Sequence, residues 1–277
     1  MCYNAAYDAN RAFKKAIRDE LNPEVRAELE RKYEAWREQN PDIYREKHES
    51  QHASGRFFTS AFEHDAFPII YSEQGQKTMD FFRWGLVPRW CRAEDKALQI
   101  WTQTINARSE TMFEKPSFRA SSLDRRCVVY MTGFFEYHHQ GSKKYPFFIR
   151  DRNSDILLVA GLWDSAIIDG QEWKTFTIVT VPANETMAAI HNNPKNPHRM
   201  PLILRPEQVD EWISPTLPED KLTIDRLKSD FIQPYPDDGL EYTSVGQLLG
   251  KHGIGDKKEA QDRVFYPDLK LQIERNS

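Results

Sequence analysis

No stretch of this chain approaches the ~18 consecutive apolar residues that a transmembrane helix needs. Its first residues also lack the apolar core of a secretion signal, because Asp8, Arg11, Lys14 and Lys15 come too early. Cysteine is scarce: Cys2, Cys91 and Cys127 are an odd count with no CxxC spacing. That argues against a disulfide framework and a zinc ribbon, and it suits a reducing compartment. A soluble, cytoplasmic protein without a membrane partner is expected. No phosphate loop, dinucleotide-binding glycine pattern, HExxH pair or nucleophile elbow occurs, so neither a cofactor nor a metal ion is expected. An excess of positive charge is missing too. With 38 basic and 42 acidic residues the net charge is −4, so a case for nucleic acid must rest on a local basic face.

What is present suits one globular domain over residues 1–277. Residues 8–50 form a compositional block of ten Lys/Arg and eleven Asp/Glu, with Phe13, Ile17 and Leu21, then Leu29, Tyr33 and Trp36, at helical spacing. Asn22-Pro23-Glu24 reads as a break and a new helix start. This block is a charged helical insertion. From Gly55 the texture turns to strands: Ala66–Tyr71, Met79–Trp84, Arg125–Met131, Tyr145–Ile149, Ile156–Trp163 and Thr175–Val181. No ~10–15-residue helix separates the central strands, so parallel βαβ units are not expected. Short helices follow around Met187–His191, after Pro206 and after Pro218. The fold class is α+β, a single domain on a curved, mostly antiparallel, barrel-like sheet with peripheral helices. Residues 251–277 are a polar C-terminal tail, ordered by docking.

Four polar spots carry candidate chemistry. Cys2 follows the initiator methionine directly, so removal of Met1 would leave an amine and a thiol on one residue. Their ordinary pKa values of ~7.7–8.0 and ~8.5 put both nucleophiles within reach near neutral pH. A 1,2-aminothiol attacks a carbonyl with its amine and closes a five-membered thiazolidine with its sulfur. It can also act on an acyl group, with its own amine as base. Asn106 interrupts a partly apolar segment, where it could equally cap a helix through Ala107–Phe113. Glu136 follows Gly133-Phe134-Phe135; desolvated there, it would be a general acid near pH 7, and at a strand end in water it would be ordinary. His191 is the fourth spot, with His198 as an alternative. Between Arg83 and Arg108, and again between Lys115 and Arg126, the local charge is +3, with Trp84, Trp90, Trp101 and Phe118 interleaved. Such a pattern suits a nucleic-acid single strand, and also an ordinary salt-bridged surface.

Seven motifs in order resemble those of the SRAP family, named for SOS response-associated peptidase: Met1-Cys2, Arg83-Trp84-Gly85-Leu86-Val87-Pro88, Asn106-Ala107-Arg108-Ser109-Glu110, Arg126-Cys127, Gly133-Phe134-Phe135-Glu136, Ala160-Gly161-Leu162-Trp163 and Arg199-Met200-Pro201. The resemblance implies a sensor of abasic sites in single-stranded DNA, associated with the nucleoid when bound to DNA. Its N-terminal cysteine, exposed by self-processing of Met1, would form a thiazolidine cross-link that shields the lesion. General proteolysis is not implied, and strand cleavage at the lesion (a lyase activity) is left open. The resemblance assigns Cys2 as nucleophile, Asn106 and Glu136 to the reacting sugar, and His191 as acid–base partner. Arg108 would hold a phosphate, Arg119 and Arg126 would follow the backbone, and Trp84, Leu86 and Pro88 would form an apolar wedge against unstacked bases. The chain departs from the family in three places. Cys2 is followed by Tyr3-Asn4 where the family has Gly-Arg, Tyr137 stands for the usual tryptophan, and seven residues separate His191 from Arg199 instead of one. An N-terminal-nucleophile amidohydrolase with Asn106 in an oxyanion hole is the alternative enzyme, and a non-covalent single-strand binding module is the third reading.

Overall fold

The computed structural model of the protein describes residues 2–40, 55–196 and 198–271. Chain order begins with strand β1 (Asn4–Asp8), then helices α1 (Ala9–Asp19) and α2 (Pro23–Gln39). Next come β2 (Gly55–Ser60), β3 (Ala66–Glu73), β4 (Gln76–Trp84), α3 (Glu94–Trp101), β5 (Asn106–Arg108) and α4 (Ser121–Asp124). Strands β6 (Arg126–Met131), β7 (Gly133–Gln140), β8 (Lys143–Asp151), β9 (Leu157–Ile168) and β10 (Gln171–Pro182) follow. The chain continues through α5 (Glu185–Ile190), β11 (Arg199–Pro201), α6 (Val209–Ile213), α7 (Lys221–Arg226) and β12 (Leu240–Ser244).

Strands β10, β4, β3, β6 and β9 pair in turn, and β9 closes back onto β10. Four of these five contacts are antiparallel and β4–β10 is parallel. An odd closed ring cannot alternate direction all the way round, so one parallel pair is a topological necessity. The mostly antiparallel, barrel-like α+β fold is thus as expected, with that one pair and the short parallel β5–β10 contact added. A second, wholly antiparallel sheet runs β12-β8-β7-β1-β2. Burial of β6 on every residue explains its unbroken apolar run.

The helical insertion packs on the barrel through an aromatic cluster. Phe13 of α1, Tyr33 and Trp36 of α2, and Phe81 of β4 stack with centroids 5.5–6.2 Å apart. Asn22 caps α2 by accepting from the Glu24 and Val25 amides, with Pro23 opening the helix, worth about 1 kcal/mol. Residues 41–50 of the expected insertion lie outside the described residues.

The tail does dock. Asp256 Oδ1 accepts from the Phe57 and Phe58 amides on edge strand β2, at 2.8 and 3.2 Å. Asp268 meets Lys143 and Tyr145 on β8. Residues 272–277 lie outside the described ones. Among the described residues, no helix is long and apolar enough to cross a membrane.

Candidate active site

Strand β1 lies between β2 and β7, and this places the start of the chain in the interior. Asn4 faces Ser60 on one side and Phe135 on the other, and Glu136 is the next residue along β7. Cys2 is fully buried. Its carbonyl accepts from Asn106 Nδ2 at 2.9 Å, and its Sγ lies 3.5 Å from the Asn4 carbonyl. Asn106 reaches this point from a strand, β5, which aligns with β10 so that Ile178 faces Asn106 and Thr180 faces Arg108. The helix-capping alternative for Asn106 therefore does not hold.

Glu136 is buried too, not at a strand end in water. Burial raises its carboxyl to a pKa of about 8, against weaker lowering by the N-terminal amine and by the Tyr137 amide. The Cys2 thiol is likewise pushed up, first by burial and then by Glu136. His191 terminates α5, and its Nε2 stands 3.8 Å from Glu136 Oε2. Burial, and after it the positive charge of the N-terminal amine, lower its pKa to about 3. The spacing alone would allow an ion pair, but both shifts favour the uncharged forms. We take the neutral pair, because two side chains each about 5 % exposed have no water to support opposite charges. The tautomer follows from geometry: His191 Nδ1 accepts the Arg199 amide at 3.1 Å, so the ring proton sits on Nε2, facing Glu136. Glu136 Oε1 and Asn106 Oδ1 are buried with no hydrogen-bond partner among the described residues, which leaves both open to a bound molecule.

The structure separates the two histidines. His191 joins Glu136; His198 is exposed, at φ 58°, on the loop between α5 and β11. Its amide closes that loop on the His191 carbonyl at 2.8 Å. Arg199 was legible only as a motif letter. It pairs with Glu110, donates to the Thr180 carbonyl at 2.6 Å, and supplies the amide that fixes His191.

Arg108 and Arg119 are both exposed, joined by a run of turns from Arg108 through Lys115. Arg108 donates to Asn196 Oδ1 at 2.6 Å. Arg126 is a correction. It is 1 % exposed and gives its guanidinium to the carbonyls of Ser122, Leu123, Trp212 and Ser214 and to Thr216 Oγ1. Burial lowers its pKa to about 10, and it has no face for a DNA backbone. The wedge is a second correction. Trp84 and Leu86 are fully buried and Pro88 is buried as well. Trp84 packs edge-on to Phe67 and stacks on Phe176, while its Nε1 donates to the Ile105 carbonyl at 3.0 Å. The motif therefore fixes the backbone next to Asn106. Gly85, at φ 103°, is required there because a Cβ would strike Trp101.

No group of three or more His, Cys, Asp or Glu among the described residues could hold a metal ion.

The chain is similar to proteins already known. The chain is 34 % identical over 182 residues to the abasic site processing protein YoqW of Bacillus subtilis, covering 65 % of this chain and 75 % of that one. It is 32 % identical over 164 residues to the abasic site processing protein HMCES of Gallus gallus, covering 51 % of this chain and 47 % of that one. A crystal structure of a Bacteroides thetaiotaomicron protein superposes with a TM-score of 0.73 at 26 % identity, over 95 % of this chain and all of that one. The family model of SOS response associated peptidases matches residues 1–252. A match over most of its length shows that this chain belongs to the SRAP family.

Proposed function

We propose that this protein captures abasic sites in single-stranded DNA, using Cys2 as the covalent nucleophile once Met1 has been removed. The observation that carries the reading is that Asn106 bonds to the carbonyl of the buried Cys2 while the buried Glu136 and His191 pair beside it. Relatives named abasic site processing proteins support it.

The freed amine has an ordinary pKa of ~7.7–8.0, so a fraction of it is uncharged near neutral pH, and that form adds to the C1′ aldehyde of the ring-opened sugar to give a carbinolamine. Glu136, neutral at pH 7, protonates the departing hydroxyl, and water leaves with formation of an iminium ion. The thiol then adds to the iminium carbon, closing the thiazolidine, and its proton passes to the Glu136 carboxylate. One water is lost and Glu136 ends as it began. The neutral His191 Nε2–H orients the carboxyl, and Asn106 holds the Cys2 carbonyl so that amine and thiol meet one carbon. Arg108 and Arg119 would hold phosphates. The same acid could assist strand cleavage, and Met1 removal would be the family's only peptide-bond chemistry here.

The test is a denaturing gel after incubation with an abasic or an intact single strand. Wild type gives a heat-stable adduct with the abasic strand only. Cys2→Ser keeps the amine and loses the thiol, so it gives an imine that survives only after borohydride reduction. A heat-stable adduct from Cys2→Ser without reduction would refute the thiazolidine.

A further inference from the structure

The residue after Cys2 is a tyrosine whose ring is only half-buried. It stacks on Phe62, with ring centroids 5.6 Å apart and planes 23° from parallel. Phe62 is 56 % exposed, so with Tyr3 it presents a two-ring aromatic surface to solvent. The pair is held by backbone. The Ala61 amide donates to the Tyr3 carbonyl at 2.7 Å, and the Phe62 amide is capped by Ser60 Oγ at 3.4 Å. Burial, and then the Glu136 charge, raise the Tyr3 hydroxyl pKa, against a lowering by Arg108.

We propose that Tyr3 and Phe62 form a stacking shelf for the base that neighbours the abasic sugar, and that this shelf sets which flanking base the site accepts. The inference rests on the function proposed above. An abasic nucleotide has no base of its own, so its flanks carry the only π surfaces the site can use. Tyr3 is the next residue after Cys2, so a sugar bonded to Cys2 has its flanking nucleotides within reach of the Tyr3 ring. The exposed Arg108 supplies the charge for the intervening phosphate. Stacking on aromatic side chains is tolerant of sequence but grows with ring area, so a purine is held better than a pyrimidine.

The experiment compares initial rates of adduct formation on single strands with one abasic residue. Each flank is in turn adenine, thymine or an unreactive baseless tetrahydrofuran residue. Wild type is expected to prefer adenine over the baseless flank on one side, by about tenfold. Tyr3→Phe keeps this preference. Tyr3→Leu and Phe62→Leu flatten it to within about twofold, with rates on the baseless flank near wild type because amine and thiol are intact. Phe62→Leu leaves the start of the chain untouched and so separates the shelf from Met1 removal. Retention of the wild-type order in both leucine variants overturns the shelf, as does a wild type that reacts without flank preference. A wild type that reacts with no abasic strand overturns the functional reading, and this inference with it.

Discussion

Asn106 and Cys2 are 104 positions apart in sequence, yet the Asn106 amide donates to the Cys2 carbonyl at 2.9 Å. That bond ties the start of the chain, whose residue before β1 would otherwise fray, to a strand anchored on the barrel through β10. Losing a partly buried bond of about 1 kcal/mol in a reaction that depends on orientation should cost more than the bond itself. Asn106→Ala is expected to slow adduct formation by about tenfold or more, with its melting temperature close to wild type. An equal rate, measured under single-turnover conditions, would remove Asn106 from the site.

The Glu136–His191 pair should shape stability against pH. Glu136 titrates near 8 in the fold against an ordinary 4.5, so between those values the folded state holds the extra proton and stability falls as pH rises. His191 titrates near 3 against 6.5, so the unfolded state holds the extra proton there and stability rises with pH. The two slopes cancel from about 4.5 to 6.5; stability then falls as pH rises from 6.5 to 8, and it also falls as pH drops below 4.5. Glu136→Gln should therefore melt higher than wild type at pH 8, gain less at pH 5, and lose roughly 10²–10⁴-fold in adduct rate. Thermal melts across pH check this.

The two histidines should separate cleanly. His191→Ala removes the Nε2–H that faces Glu136 and leaves the Arg199 amide without its acceptor, so adduct formation should fall by about 10²-fold. His198→Ala changes an exposed side chain and should stay within about twofold. Parallel rates decide it, and a larger defect at His198 would contradict the assignment.

Arg126 and Arg108 should fail in different assays. Arg126→Met leaves several buried carbonyls without a donor, so the fold should lose roughly 3 kcal/mol or more, while the salt dependence of binding is unchanged. Arg108→Ala should leave melting unchanged and lower the slope of log affinity against log salt by about 0.7.

Much of this was legible in the sequence. The positions of β3, β4, β6, β8, β9 and β10 followed from β-branched runs and turns, whereas β5 and β7 did not, and Asn22-Pro23 marked α2 because cap chemistry is local. The family motifs led to Cys2, Asn106, Glu136 and His191. The motif tryptophan misled, because Trp84 reads the same whether its ring meets solvent or fills the barrel, and only the closure of β4 onto β10 decides that it is core. Arg126 misled for a related reason: a buried arginine is identified by the carbonyls of Trp212 and Ser214, more than 80 residues away. The parallel β4–β10 pair was equally hidden, since it follows from the parity of the closed ring and from no local signal. Tyr3 was visible only as a departure, and its meaning came from Phe62 lying beside it.

The central claim is that the lesion is bonded to the amine and thiol of Cys2 in a chain without Met1. Intact mass of the product with a single-abasic oligonucleotide tests it most directly. The predicted mass is that of the chain lacking Met1 plus the oligonucleotide minus one water, with the modification on the N-terminal Cys2 peptide and no adduct from Cys2→Ala. An adduct of the same yield in Cys2→Ala, or one on a chain that keeps Met1, would contradict it.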